Sequence, residues 1–128
     1  VKLKYIDNWN GRRVEIAKMY QEGIHNEAFK FQKQPEWANS VYHLFVITVK
    51  NREKLISYLN EHNVFPGLHY PIPCHLQKAY SYLGHKKGDF PVTDGHADKI
   101  ITFPCDQHLS KKELDFIIKT VTDFYKAY

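Results

Sequence analysis

His69-Tyr70-Pro71-Ile72-Pro73-Cys74-His75-Leu76-Gln77-Lys78-Ala79-Tyr80 is the stretch from which the rest of this 128-residue sequence can be read. Its prolines fix φ and exclude a helix interior or a central strand. Two imidazoles, a phenol, a thiol and a carboxamide are therefore carried on a stiff loop. Polar tips on a loop held by a scaffold are where binding groups concentrate. The plainer reading is that His and Tyr here are half-buried packing residues, each with one hydrogen bond satisfied. Just upstream, Phe65-Pro66-Gly67-Leu68 has the form of a type II turn, with Pro at the second position and Gly where φ must be positive. The loop would then be aimed from both ends.

Working outward, residues 76–83 read as a short helix ended by Gly84. A helix follows from Val92 with Thr93 or Asp94 as its cap, then a short strand over residues 100–103. Ser110-Lys111-Lys112-Glu113 is a capping box, and the helix it starts has an apolar face of Leu114, Ile117, Ile118, Val121, Phe124 and Tyr125. Upstream of the loop, Leu68 to Tyr70 reads as a short strand, and Asn51 as the cap of a helix reaching His62 with Leu55, Ile56, Tyr58 and Leu59 inward. Val41 to Val49 is β-branched and aromatic and reads as a central strand buried on much of both faces. His43, inside it, reads as structural, a supporting residue behind any site. Residues 26–39 are a polar loop broken by Pro35, with room for a short edge strand at Phe29 and Phe31. Asp7 or Asn8 can cap a first helix ending between Gly23 and His25, which buries Trp9, Arg13, Ile16, Ala17, Tyr20 and Ile24. Arg12 and Arg13 read as solvated or salt-bridged in preference to phosphate ligands. The sum is an α+β design, a three-stranded sheet packed with helices. Parallel and antiparallel pairings, and the register, stay open.

Composition bounds the function classes. With 43% hydrophobic and 25% charged residues the chain is one globular domain able to bury its own core. Opening on Val1, with no leader sequence and no membrane-length apolar stretch among its first residues, it is expected to be a soluble, cytoplasmic piece of a longer chain. A net charge of +4 with nine Tyr and eight Phe raises nucleic-acid binding. The basic residues are scattered, however, and Val41 to Val49 lacks the Lys/Arg-Gly-aromatic-Gly pattern of an RNA-recognition motif. A mildly basic face equally suits a phosphorylated substrate. Cys74 and Cys105 make no disulfide framework and are read as free buried thiols. His69, Cys74, His75, Cys105 and His108 are conceivable zinc ligands in no recognised zinc spacing, so no metal site is expected. A cysteine nucleophile, Cys74 or Cys105, with a nearby histidine is a further rival; Cys74 adjoins His75, but neighbouring side chains diverge, which weakens that support.

Several spaced pieces in one order add a resemblance. They are Gly67-Leu68-His69-Tyr70-Pro71-Ile72-Pro73, His75, Gln77, Ala79-Tyr80 and Leu83-Gly84, preceded by Asp7-Asn8-Trp9-Asn10 with Arg12-Arg13 and by Ser40 to Val46, and followed by Gly88-Asp89-Phe90-Pro91-Val92 running on to Phe103-Pro104. Across nearly the whole chain this resembles the C-terminal part of the DegT/StrS-type sugar aminotransferases, which use pyridoxal phosphate (PLP) on nucleotide-linked keto sugars. The resemblance implies the small C-terminal α/β-sandwich domain of a fold-type-I PLP transferase over residues 26–128. Residues 1–25 would be the helix leading in from a missing N-terminal large domain.

That resemblance also implies a division of labour. PLP catalysis needs a Schiff-base lysine, an acidic partner for the pyridine nitrogen and a phosphate cradle, and in the family all three lie in the large domain. No lysine here sits where it would be desolvated, and there is no Gly-rich phosphate loop. The chain is thus expected to hold no PLP, to carry no catalytic residue and to be inactive alone. By resemblance His69 and Tyr70 bind the nucleotide sugar, and His75 and Gln77 either support the loop or touch substrate. The parent would be a homodimer taking its amino group from glutamate for amino-sugar or polysaccharide biosynthesis. Pro71-Ile72-Pro73 most resembles enzymes acting on 3-keto sugars, whereas Phe103, Cys105 and Thr93-Asp94-Gly95 depart from the commoner Leu, Met and Ala-Glu. The alternative is a free-standing module that binds a sugar nucleotide or a partner without catalysis.

Overall fold

The computed structural model describes residues 1–127. A 3-10 turn at Lys2–Tyr5 leads into α1 (Ile6–Gly23), followed by β1 (Phe29–Phe31), β2 (Phe45–Val49), α2 (Arg52–Glu61), α3 (Pro91–Ala97), β3 (Ile100–Phe103) and α4 (Lys111–Ala127). The sheet runs β1-β2-β3, antiparallel throughout, with Phe29 opposite Val49 and Phe45 opposite Phe103. That settles the pairing left open above: an α+β fold with β2 central.

Alternation sorts the strands. Phe45, Ile47, Val49, Ile101 and Phe103 point into the core, where Ile16, Ala17 and Tyr20 of α1, Leu55 and Leu59 of α2, and Leu114, Ile117, Val121 and Phe124 of α4 close over them. Tyr20 is fully buried, its ring stacked 5.0 Å from that of Phe45, and its hydroxyl donates to the Pro104 carbonyl at 2.8 Å. A buried phenol needs such a partner. The opposite face of the sheet carries Lys30, Val46, Thr48, Ile100 and Thr102, paired in register.

Several local expectations are corrected. The first helix is entered through a 3-10 turn, so its N-cap is Tyr5 and neither Asp7 nor Asn8 caps it. β2 is shorter than the run from Val41 to Val49, because Tyr42 takes a left-handed conformation (φ 47°) that interrupts extended backbone. Its burial alternates, and His43 lies outside it, exposed. Asn51 occupies the N-cap of α2 but in the left-handed region, and its side chain makes no capping bond. Residues 76–83 are not one helix. Two 3-10 turns, Cys74–Leu76 and Lys78–Leu83, are separated by extended Gln77, and Gly84 ends the second in the left-handed conformation. α3 starts on Pro91, one residue before Val92, with Phe90 as N-cap, so Thr93 and Asp94 lie inside it. The capping box does form: the Glu113 carboxylate accepts from the Ser110 amide at 2.8 Å, and the Glu113 amide donates to the Ser110 hydroxyl at 3.2 Å.

Candidate functional site

The loop is anchored where β3 ends. Gly67 and Thr102 exchange both backbone hydrogen bonds, at 2.9 and 2.8 Å, and form a single antiparallel bridge in place of the strand expected from Leu68 to Tyr70. Gly67 is not in the positive-φ region, so the type II turn reading fails. A different constraint requires glycine there: a Cβ would stand 2.6 Å from Cε1 of His69. The imidazole folds back over Gly67 and places Nδ1 3.0 Å from the Thr102 hydroxyl. Thr102 is 5% exposed, so this bond also satisfies a buried hydroxyl on the outer sheet face.

Beside this fixed imidazole stands the Tyr70 ring, with centroids 5.2 Å apart and planes at 80°. Tyr70 is 67% exposed. One anchored imidazole and one free phenol thus meet at the surface. His69 also lines a cavity of about 380 Å³ with Arg13, His43, Thr102 and Cys105. Arg13 holds the wall of that cavity: its guanidinium donates to the carbonyls of Cys105 (2.9 Å) and His43 (3.2 Å) and to Oε1 of Gln107 (2.8 Å). Arg12 pairs with Glu15 and donates to the Leu109 carbonyl. Both arginines tie α1 to the chain around β3 and α4, as salt-bridged residues of an amphipathic helix.

His75 and Gln77 are separated from that pair. The His75 ring lies against Phe90, 4.7 Å between centroids, and its Nε2 is 3.2 Å from Oδ1 of Asp94, with side chains only 9% and 8% exposed. The contact has the length of an ion pair, but its angle falls short of a hydrogen bond. Gln77 spaces the two 3-10 turns through its backbone, which accepts from Tyr80 and donates to Cys74. Of the four expected substrate groups, the structure brings together His69 and Tyr70. It surrounds His75 with loop-supporting contacts. Thr102 and Asp94, partners of the two histidines, were missed because nothing local marks them.

The rival chemistries find no support in this geometry. Cys74 is exposed, contrary to the buried thiol expected, and His75 turns its Nε2 to Asp94. Cys105 is buried and donates to the Arg13 carbonyl at 3.7 Å, and burial pushes its thiol up to about 11. An activated nucleophile needs the opposite shift. Among the described residues no three His, Cys, Asp or Glu side chains converge as metal ligands, and no helix is long and apolar enough to cross a membrane. Every lysine is exposed, whereas a Schiff-base lysine is activated by desolvation, so the lysines present do not fit that role toward PLP.

Comparison with known proteins bears on this arrangement. The sequence profile of the DegT/DnrJ/EryC1/StrS aminotransferase family matches residues 1–122. The chain is 37% identical over 122 residues to the erythromycin biosynthesis sensory transduction protein EryC1 of Saccharopolyspora erythraea, covering 94% of this chain and 33% of that protein. It is 36% identical over 124 residues to the dTDP-3-amino-3,6-dideoxy-alpha-D-galactopyranose transaminase of Aneurinibacillus thermoaerophilus, covering 97% of this chain and 34% of that enzyme. The crystal structure of S. venezuelae DesV in complex with a ketimine intermediate superposes with a TM-score of 0.91 at 27% identity, over 96% of this chain and 33% of that one. The chain therefore spans about a third of the length of the relatives it matches.

Proposed function

The chain belongs to the DegT/DnrJ/EryC1/StrS aminotransferase family, and from that premise we propose that it is the small C-terminal domain of an enzyme that transfers an amino group, taken from glutamate, to a nucleotide-linked keto sugar. Residues 1–25 are the helix that leads into it and residues 26–128 the domain itself. The observation that carries this reading is the Tyr70 phenol standing exposed beside an imidazole already anchored to Thr102. Such a pair presents a hydroxyl and a ring edge to sugar hydroxyls or diphosphate oxygens, the imidazole already ordered by its Thr102 bond.

The family depends on PLP, which when bound supplies the electron sink for amino transfer. With every lysine of this chain exposed, the cofactor's amine partner and phosphate cradle are supplied by the remaining two thirds of the enzyme. The 128-residue chain alone is inactive. The whole enzyme is a cytoplasmic homodimer, and its reaction belongs to amino-sugar or polysaccharide biosynthesis. A dTDP-linked 3-keto sugar is the substrate class best supported, since the Aneurinibacillus relative is named for a dTDP-3-amino sugar and Pro71-Ile72-Pro73 points the same way.

The test is to assay the full-length enzyme with glutamate and a dTDP-linked 3-keto sugar, and the 128-residue chain in parallel. Amino sugar formed only by the full-length enzyme supports the reading. Transfer by the chain alone, or stoichiometric PLP fixed to one of its lysines by borohydride, overturns it.

A further inference from the structure

Asp94 is the one buried carboxylate among the described residues, 7% exposed within the short helix α3. A carboxylate is rarely buried unless paired, because leaving water costs the charged form heavily. Its two oxygens are used in different directions. Oδ2 accepts the Gly88 amide at 2.7 Å, and Gly88 takes a φ of 103°, open to glycine and strained for other residues. Oδ1 faces Nε2 of His75 at 3.2 Å. At that separation the two side chains are within ion-pair reach, and neither atom has a hydrogen-bond partner among the described residues. Around it, Phe90 packs on the His75 ring, and His85, with its ring 6.5 Å from that of His75, pairs with Asp89 at 3.4 Å.

What this pair holds is the other end of the functional loop. One end is fixed at Thr102, through the Gly67 bridge and the His69 ring. Between Tyr70 and His75 lie Pro71 and Pro73, which remove two of the soft backbone torsions and let the position of His75 govern that of Tyr70. The exposed phenol is thus suspended between two buried anchors on different elements, β3 and α3.

We propose that His75 and Asp94 are positioning residues that hold the Tyr70 phenol in its substrate-binding place by clamping the 3-10 turn Cys74–Leu76 onto α3. The proposal rests on the reading that Tyr70 meets the nucleotide sugar. It assigns His75 a role without substrate contact, and it adds Asp94, whose carboxylate is buried.

The experiment uses the full-length enzyme with Asp94→Asn, which keeps the shape and the Gly88 bond but removes the charge, Asp94→Glu, which keeps the charge, and Tyr70→Phe. Hydrogen exchange read by mass spectrometry over residues 67–77 should accelerate about tenfold in Asp94→Asn, with residues 98–104 unchanged. The KM for a dTDP-linked 3-keto sugar should rise about tenfold while kcat changes less than twofold, and Asp94→Glu should recover most of both. Unchanged exchange in 67–77 overturns the clamp, as does acceleration of both segments together, which would mark a merely structural carboxylate. A raised KM in Tyr70→Phe without one in Asp94→Asn overturns the positioning role. If Tyr70→Phe itself leaves KM unchanged, the substrate reading of the loop fails, and the exchange data alone decide whether the clamp exists.

Discussion

Thr102 meets His69 twice over: its backbone pairs with Gly67, two residues before the histidine, at 2.9 and 2.8 Å, and its hydroxyl lies 3.0 Å from Nδ1 of the ring. A β3 residue whose side chain leaves the core side of the sheet thereby sets both the start of the loop and the direction of its first imidazole. The absence of a Cβ at Gly67 makes this possible, since the ring occupies the space that a methyl group would need.

Gly67→Ala should therefore act on the site more than on the fold. The new methyl group would stand 2.6 Å from Cε1 of His69 and must push the ring off Thr102, while the backbone bridge can persist. We expect the ring signals of His69 to move in NMR spectra and the KM for the nucleotide sugar to rise, with the urea midpoint little changed. Unshifted His69 resonances would show that the glycine serves some other need.

Thr102→Val separates the hydroxyl from the backbone pairing. Valine fills the same space beside Val46, its partner across β2, but leaves Nδ1 of the half-buried His69 without its partner. Losing one such bond costs about 1 kcal/mol, which lowers Tm by a few degrees in a domain of this size. A melt indistinguishable from that of the parent chain would mean that water replaces the hydroxyl at no cost.

How far the sequence could be read follows the range of the interactions involved. α4 was legible because Ser110 and Glu113 sit three residues apart and Leu114, Ile117 and Val121 repeat at helical spacing. β3 was legible as a bounded β-branched run. What escaped depends on partners far along the chain. Gly67 looked like a turn glycine, because the ring that excludes a Cβ there is placed by Thr102, 33 residues beyond His69. Asp94 looked like a cap, because helix-start chemistry is local and the burial of its carboxylate under His75 is not. Within the loop, His69 and Tyr70 were singled out through the motif they share. The separate task of His75 appears only once Asp94 is seen opposite it.

Alkaline pH should unfold the domain by a traceable route. Burial pushes Cys105 from its ordinary 9.0 to about 11 and Tyr125 from 10.0 to about 12, and raises buried Tyr20 further. In each case the folded chain keeps a proton that the unfolded chain releases. Stability is thus fully present below pH 9 and falls as pH rises from about 9 towards 12. Urea midpoints should be flat from pH 7 to 8.5 and drop above it, and Cys105→Ala should flatten the first part of the fall, between about pH 9 and 10. A midpoint that holds steady to pH 11 would mean that these groups titrate at their ordinary values in the fold.

Tyr70→Phe in the full-length enzyme isolates the exposed phenol. The hydroxyl makes no hydrogen bond to the described residues and the ring is 67% exposed, so its loss should leave stability unchanged. If the hydroxyl binds a diphosphate oxygen, losing that charge-assisted bond costs roughly 1.5–3 kcal/mol, about a tenfold to hundredfold rise in KM for the nucleotide sugar. His69→Ala should act in the same direction and also loosen the loop, since it removes the Thr102 contact as well. The half-reaction with glutamate, followed by conversion of the cofactor to its amine form, involves no sugar and separates the two possible roles of the loop. A rise in KM with the half-reaction running places the phenol on the sugar nucleotide. A collapse of the half-reaction with sugar affinity unchanged would place Tyr70 in the cofactor chemistry and refute its assignment as a substrate-binding group.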